Sequence, residues 1–321
     1  MFKNKQVLVT GGTGMVGNIL VTKLIHFGAS VSVASLDNEE NCHPEAKFFP
    51  YDLTDINLCD ELCTGMDYVF HVAGIKGSPI VCAKRPASFF TPLIQMNTNM
   101  MDAAERKKVK RYLYTSSVGV YAPAPIFYED SVWKTFPSDN DRFAGWAKRM
   151  GELQAEAYKI ENPGFGKNIR IVRPVNIYGP RDNFDEETGM VVPSLIARAE
   201  RENPLTVWGD GSPIRDFIFA GDVADGMLKI FESDCNQPVN LGSGTGVSIK
   251  KLAETIAKKF DRDIVWDTTK PMGDKYRVAD TKRAKKLGFE PKTNLKDGID
   301  IAVDWYLNNR KYKRHDVFKE K

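Results

Sequence analysis

The chain has 321 residues, and 45 Lys and Arg set against 42 Asp and Glu leave a net charge of +3. That length can bury a full core in one large or two intimately joined α/β units, while a charge so close to balance gives no ground for a nucleic-acid or anionic-membrane partner. Charged residues at 27% and apolar residues at 42% are the proportions of an ordinary globular protein.

The first residues, Met1 to Lys5, lead straight into the apolar run Val7-Leu8-Val9 without a leader-like stretch, and no run long enough to span a bilayer follows. A cytoplasmic chain with no membrane attachment is the expectation. The five cysteines are odd in number, and Cys59 and Cys63 have neither a matching pair nor a histidine cluster, so free thiols are expected and no metal. The lysine-rich segment 310–321 reads as a solvated, partly frayed end.

In chain order, short β-branched runs predict strands at 6–10, 30–34, 47–50, 68–71, 111–116 and 169–173. Amphipathic stretches predict helices at 15–27, 56–64, 92–107 and 144–160. This alternation predicts an α/β fold, a Rossmann-type doubly wound parallel sheet with helices on both faces. After Asn176 the character changes. A Pro/Gly/Asp-rich loop over 178–189 precedes a predicted helix at 192–201, and the turn formers over 207–213 suggest a short ribbon. A return strand at 237–241, a helix at 248–259 capped by Ser248 and a last helix at 300–308 complete the reading. The chain thus divides into a dinucleotide-binding domain over 1–176, rejoined near 217–245, and a smaller C-terminal region, mainly 177–321, that covers the carboxyl edge of the sheet.

Thr10-Gly11-Gly12-Thr13-Gly14-Met15-Val16-Gly17 falls between the first strand and the first helix. Glycines there permit a tight turn, bring backbone N–H groups up to a pyrophosphate at the helix N-terminus and let helix and strand pack closely. Asp52-Leu53 follows the third strand, where a carboxylate can accept from an adenine amino group. His71-Val72-Ala73-Gly74 ends the fourth, where small residues leave room for a cofactor. The second strand ends in Ser35-Leu36-Asp37-Asn38-Glu39-Glu40, with no Arg or Lys to receive a 2′-phosphate and an acid, Asp37, spaced to hold a ribose. NAD is therefore expected over NADP.

Those segments, with Ser116-Ser117 before Tyr121, Arg173-Pro174-Val175-Asn176-Ile177-Tyr178-Gly179-Pro180 and Arg215-Asp216-Phe217, resemble in order the marks of the extended short-chain dehydrogenases acting on nucleotide sugars. The resemblance spans nearly the whole chain. It is greatest to the GDP-fucose synthase group, on the strength of 178–184 and the pattern Val207-Trp208-Gly209-x-Gly211-x-Pro213-x-Arg215. It implies a cofactor site of Gly11, Thr13, Gly14, Met15, Val16, Gly17, Ser35, Asp37, Asp52, Leu53, Val72, Ala73, Lys148, Pro174 and Val175. It also implies a nucleotide-diphosphate sugar bound by Ser117, Asn176, Arg198, Trp208, Arg215 and Arg277, with Lys76 approaching the sugar. Arginine suits a diphosphate because its fork donates bidentate bonds and stays charged.

The resemblance further implies a Ser-Tyr-Lys trio, in which the serine position is Ser117 and the lysine position Lys148. The tyrosine position, four residues before Lys148, holds Ala144. Neither Tyr121 nor Tyr128 shares the helical face of Lys148. The intact surround of Ala144 reads as an inactivated variant of a working enzyme. Where the GDP-fucose synthase group epimerises with a cysteine and a histidine, this chain has Gly119 and Met190, and no acid beside Ser117 serves a dehydration. What the pattern leaves is hydride transfer at sugar C4, by a 4-dehydrogenase or 4-keto-reductase. The alternatives are an NAD-dependent 4-epimerase and a non-catalytic dinucleotide- or sugar-binding sensor. The resemblance also implies a homodimer through helices 92–107 and 144–160, both apolar on more than one face.

Overall fold

A computed structural model describes residues 1–75, 79–186, 188–270 and 272–312, so Lys76 and the tail beyond 312 lie outside the described residues. The leading half follows the predicted alternation: β1 (Gln6–Thr10), α1 (Met15–His26), β2 (Ser30–Ala34), β3 (Lys47–Phe49), α2 (Ile56–Cys63), β4 (Tyr68–His71), α3 (Pro79–Lys84), α4 (Pro86–Arg106) and β5 (Arg111–Thr115). A two-residue β6 (Ile126–Phe127), the long α5 (Arg142–Glu161), β7 (Ile169–Pro174) and β8 (Asn176–Tyr178) come next. The second half supplies β9 (Leu205–Trp208), β10 (Ile214–Phe219), β11 (Val239–Leu241), β12 (Gly246–Ser248), β13 (Ile264–Asp267) and β14 (Tyr276–Ala279).

Seven strands form one parallel sheet in the order β11-β7-β5-β4-β1-β2-β3. The order reverses between β1 and β4, and a parallel sheet opens its ligand crevice outside the carboxyl ends at such a switch point. Its strands read as near-continuous apolar runs because helices cover both faces: β1, β4 and β7 are almost wholly buried. Leu8, Val69, Tyr112 and Ile171 face α4 and α5, while Val7, Val9, Phe70 and Val172 join the core on the opposite face. A second sheet, β12-β10-β14-β6 with β8 against β10, closes over the carboxyl edge.

Three local expectations are corrected. Helix α4 begins at Pro86, its first-turn proline, and carries Pro92 in its interior, six residues past the start; proline is at home at a helix start, which made Pro92 resemble one. No ribbon forms over 207–213. Trp208 pairs in parallel with Asp267 on β13, and Gly209 and Gly211, at φ +80° and +77°, turn the chain into β10 instead. The final helix starts at Leu295, capped by Asn294, five residues earlier than its apolar pattern suggested. By contrast Ser248 caps its helix as read, its hydroxyl accepting from the Lys251 N–H at 3.1 Å.

Helix α5 lies against the sheet because two of its glycines leave no side chain in the way. A methyl at Gly145 would run into the Gly119 carbonyl, and one at Gly151 into the Tyr114 hydroxyl. Next to Gly151, Glu152 receives Arg173 of β7 in a bidentate pair, Nε to Oε1 at 2.8 Å and Nη2 to Oε2 at 2.6 Å, with both side chains buried. Removing one partner leaves the other as an uncompensated buried charge. Glu152→Ala is therefore expected to cost about 3–5 kcal/mol, read from the shift of the urea unfolding midpoint. A loss under about 1 kcal/mol, the level of a surface pair, would show that the pair does not hold α5.

Candidate active site

The crevice at the switch point encloses about 390 Å³. Every residue assigned above to the dinucleotide, from Gly11 to Val175, lines it, and so do Ser117, Ala144, Asn176 and Arg277. Gly17 is the tightest point of the glycine turn, since a methyl there would strike the Gly11 carbonyl. Thr13 and Ser35 share a hydrogen bond of 2.8 Å across the mouth of β1 and β2. Asp37 is buried, and its Oδ1 accepts from the Asn38 N–H and from Asn41 Nδ2 at 3.1 Å.

A buried chain of hydrogen bonds fixes the crevice floor. The Thr10 hydroxyl oxygen accepts from the N–H groups of Val72 and Ala73 and stands 2.8 Å from His71 Nδ1. The other ring nitrogen of His71 lies 3.0 Å from Asn97 Oδ1. Burial above all, helped by the nearby Lys148 charge, pushes the imidazole down to about 3, so it is neutral. A neutral ring can accept from Thr10 and donate to the Asn97 carbonyl oxygen.

Lys148 is the cation of the floor. Its Nζ donates to the Thr115 carbonyl at 2.8 Å, and burial brings the amine down to about 8 against a partial opposing pull from Glu152. Ser117 stands at the end of the turn after β5, its hydroxyl accepting from the Gly119 N–H at 3.0 Å. Asp141, Ala144 and Lys148 are spaced three and four residues apart and all line the crevice, so one face of α5 and its N-cap looks into it. Tyr121 is elsewhere: its buried hydroxyl donates to Asn240 Oδ1 at 2.7 Å and accepts from Arg173. Tyr128 is 52% exposed and does not line the crevice.

The sugar-side residues divide. Arg277 lines the crevice and is held by Asp141 at 2.5 Å and by Asp274, whose Oδ2 accepts from Nε at 2.9 Å. Arg215 does not line the crevice but pairs in register with Arg277 on the neighbouring strand, with burial and the Arg277 charge lowering its guanidinium to about 10. Asn176 spends its amide on the Asp216 carbonyl at 2.8 Å. Arg198 and Trp208 stand outside the crevice, with the Arg198 guanidinium 5.5 Å and Lys270 Nζ 5.7 Å from the Trp208 ring centroid.

Sequence reading passed over three residues. Asp141 and Asp274 hold Arg277, and no spacing signalled either, although Asp141 falls three residues before the tyrosine position. Arg181 reaches the glycine-turn end of the crevice from the C-terminal region, its Nη1 donating to the Asn41 carbonyl at 3.0 Å and approaching the Thr13 carbonyl at 3.5 Å. Among the described residues no three His, Cys, Asp or Glu side chains gather as metal ligands, and no helix is long and apolar enough to cross a membrane. Cys59 and Cys63 are buried free thiols, and burial lifts Cys59 to about 12.

The model of the NAD dependent epimerase/dehydratase family matches residues 7–242. GDP-L-fucose synthase 1 of Arabidopsis thaliana is 31% identical over 318 residues, covering 96% of this chain and 94% of the relative. The crystal structure of UDP-glucose 4-epimerase from Thermotoga maritima with UDP-glucose superposes with a TM-score of 0.82 at 26% identity, covering 95% of this chain and 99% of that one. A GDP-L-fucose synthetase from Naegleria fowleri bound to NADP has the same fold, with a TM-score of 0.81 at 24% identity over 98% of this chain and 97% of that one.

Proposed function

The chain belongs to the NAD dependent epimerase/dehydratase family, whose members are NAD(P)-dependent enzymes of the extended short-chain dehydrogenase/reductase class, and we propose that within it this protein transfers hydride at C4 of a nucleotide-diphosphate sugar, probe for probe a GDP-sugar before a UDP-sugar. The reaction is that of a 4-dehydrogenase or 4-keto-reductase, without epimerisation or dehydration, and Ala144 impairs it. The observation that carries this reading is that Ser117, the Ala144 position and Lys148 converge on the crevice that the glycine turn and Arg277 also line. The GDP-L-fucose synthase relative favours the guanine nucleotide. The five cysteines are free thiols, in keeping with a cytoplasmic setting.

The bound nicotinamide supplies a hydride acceptor or donor. The chain's own residues do the rest. The glycine turn receives the pyrophosphate, Asp37 takes the adenosine ribose and Lys148 the nicotinamide ribose. Ser117 orients the sugar oxygen, and Arg277 with Arg215 receives the diphosphate. Trp208, 36% exposed and beside two cations, offers its ring to the base. What is missing is a phenol beside Lys148, whose ammonium would lower it from its usual value of about 10 toward neutrality.

For the cofactor we propose NAD. Asp37, Glu39 and Glu40 oppose a 2′-phosphate, and the one Nη1 of Arg181 that comes near is engaged by backbone carbonyls. Calorimetric titration is expected to give tighter binding of NADH than of NADPH, and the reverse order would overturn the assignment.

We also propose a homodimer through α4 and α5. On α5 the exposed or half-exposed Phe143, Trp146, Met150, Leu153 and Ile160 follow the three-and-four spacing of a helix seam, with Ile160 78% exposed. Sedimentation at micromolar concentration is expected to show a dimer, and a monomer would refute the seam.

Ala144→Tyr is expected to raise single-turnover hydride transfer, read as nicotinamide absorbance with a panel of GDP- and UDP-sugars, by about 100- to 10,000-fold. Turnover with no added dinucleotide would mark a 4-epimerase, the activity named for the Thermotoga maritima structure. Binding of both ligands with no turnover in either chain would mark a sensor.

A further inference from the structure

Ala144 removes a proton carrier but leaves a charged one on the same face. Asp141 is the N-cap residue of α5, three residues before Ala144 and seven before Lys148, and it is one of the residues that line the crevice. It lies beside the serine. A carbon placed where a side chain at Gly119 would begin is 3.4 Å from Ser117 Oγ, 3.4 Å from Asp141 Cβ and 3.5 Å from Asp141 Cγ. Gly119 itself has no side chain, and Ala144 presents only a methyl, so neither residue puts a polar group beside the hydroxyl and the carboxylate. Arg277 pairs with Asp141 at 2.5 Å and lines the same crevice, so the carboxylate is fixed in place from the diphosphate side. Lys148 is turned to the other end of the face, with its Nζ on the Thr115 carbonyl.

We propose that Asp141 handles the sugar-hydroxyl proton in this chain, in place of the absent phenol. The inference rests on the hydride-transfer reading above. As the 4-hydroxyl O–H bond breaks, its electron pair closes the C4 carbonyl, the proton passes to the Asp141 carboxylate, and hydride leaves C4 for the oxidised nicotinamide dinucleotide. In the reducing direction the Asp141 carboxylic acid returns the proton to the carbonyl oxygen as hydride arrives. A carboxylate is a weaker base than a phenolate, so the parent chain is expected to be slow and Ala144→Tyr to accelerate it.

Two measurements test this. The first needs no turnover. Calorimetry compares a GDP-hexose with its 4-deoxy analogue. The chain as given is expected to bind the 4-deoxy compound about 10- to 100-fold more weakly, the size of one hydrogen bond to a charged group, whereas Asp141→Ala loses most of that preference and keeps only what the Ser117 hydroxyl contributes. An undiminished preference in Asp141→Ala would remove Asp141 from the sugar oxygen. The second is a single-turnover cycle over the parent chain, Asp141→Asn, Ala144→Tyr and the double variant. Asparagine keeps an oxygen for Arg277 but cannot take a proton. Asp141→Asn is expected to slow the parent by about 100-fold or more, and to slow the Ala144→Tyr background far less, because there the phenol carries the proton. Equal losses in both backgrounds would reduce Asp141 to a support for Arg277, and no loss in either would leave Lys148 as the acceptor; both overturn the proposal. An inactive parent beside an active Ala144→Tyr chain would overturn it while leaving the hydride-transfer reading intact. Inactivity in all four would overturn that reading as well.

Discussion

One buried ion pair sets where everything else in the crevice stands. Arg173 at the end of β7 meets Glu152 in the middle of α5 with both side chains out of water. Each also serves a third element. Ser116 donates to Glu152 Oε1 at 2.5 Å, which fixes the turn that carries Ser117. Arg173 donates to the Tyr121 hydroxyl and to the Glu129 carbonyl, both at 2.8 Å, and Tyr121 passes the link to Asn240 on β11. Asn240 in turn donates to the carbonyls of Phe127 and Asp280. Sheet, helix, serine turn and C-terminal region are thus joined by one satisfied polar network, the only kind that an interior tolerates without large cost.

The consequence for chemistry lies in the helical period. Glu152 is one turn beyond Lys148, and Lys148 is one turn beyond Ala144, so fixing Glu152 against β7 fixes the face that carries all three. The same burial that suits the pair strips water from Lys148 and lowers its amine to about 8. Lys148 is therefore a strong local field at the crevice floor, beside a histidine that burial has already made neutral. A phenol at position 144 would sit within that field. The alanine leaves the field in place, with Ser117 and Asp141 lining the same crevice.

Local pattern made the Rossmann half legible. Strands β1, β2 and β4 were readable to the residue because their apolar runs end at turn formers, and the glycine turn was readable because its spacing and its strand-to-helix placement agree. What was not legible depends on contacts distant in sequence. The parallel pairing of β9 with β13 joins residues about sixty positions apart, so turn formers after Trp208 looked like a hairpin. Arg277 could be named from its motif, but its partner Asp141 lies 136 positions earlier (277 − 141), and only the fold brings them together. Arg181 likewise reaches Asn41 across the interface of the two regions. Pro92 misled for a chemical reason, since a helix that already has its start at Pro86 can carry a second proline in its interior only by giving up a hydrogen bond.

In the proposed reaction one crevice holds a dinucleotide and a sugar nucleotide with their reacting carbons face to face over α5. A crystal structure of the chain with NADH and a GDP-hexose together measures this directly. The expected result has the nicotinamide ribose on Lys148, the sugar C4 oxygen between Ser117 and Asp141, and the nicotinamide and sugar C4 atoms about 3–3.5 Å apart, a near-attack distance. A sugar bound away from Ser117, or a dinucleotide bound outside the glycine turn, would contradict it.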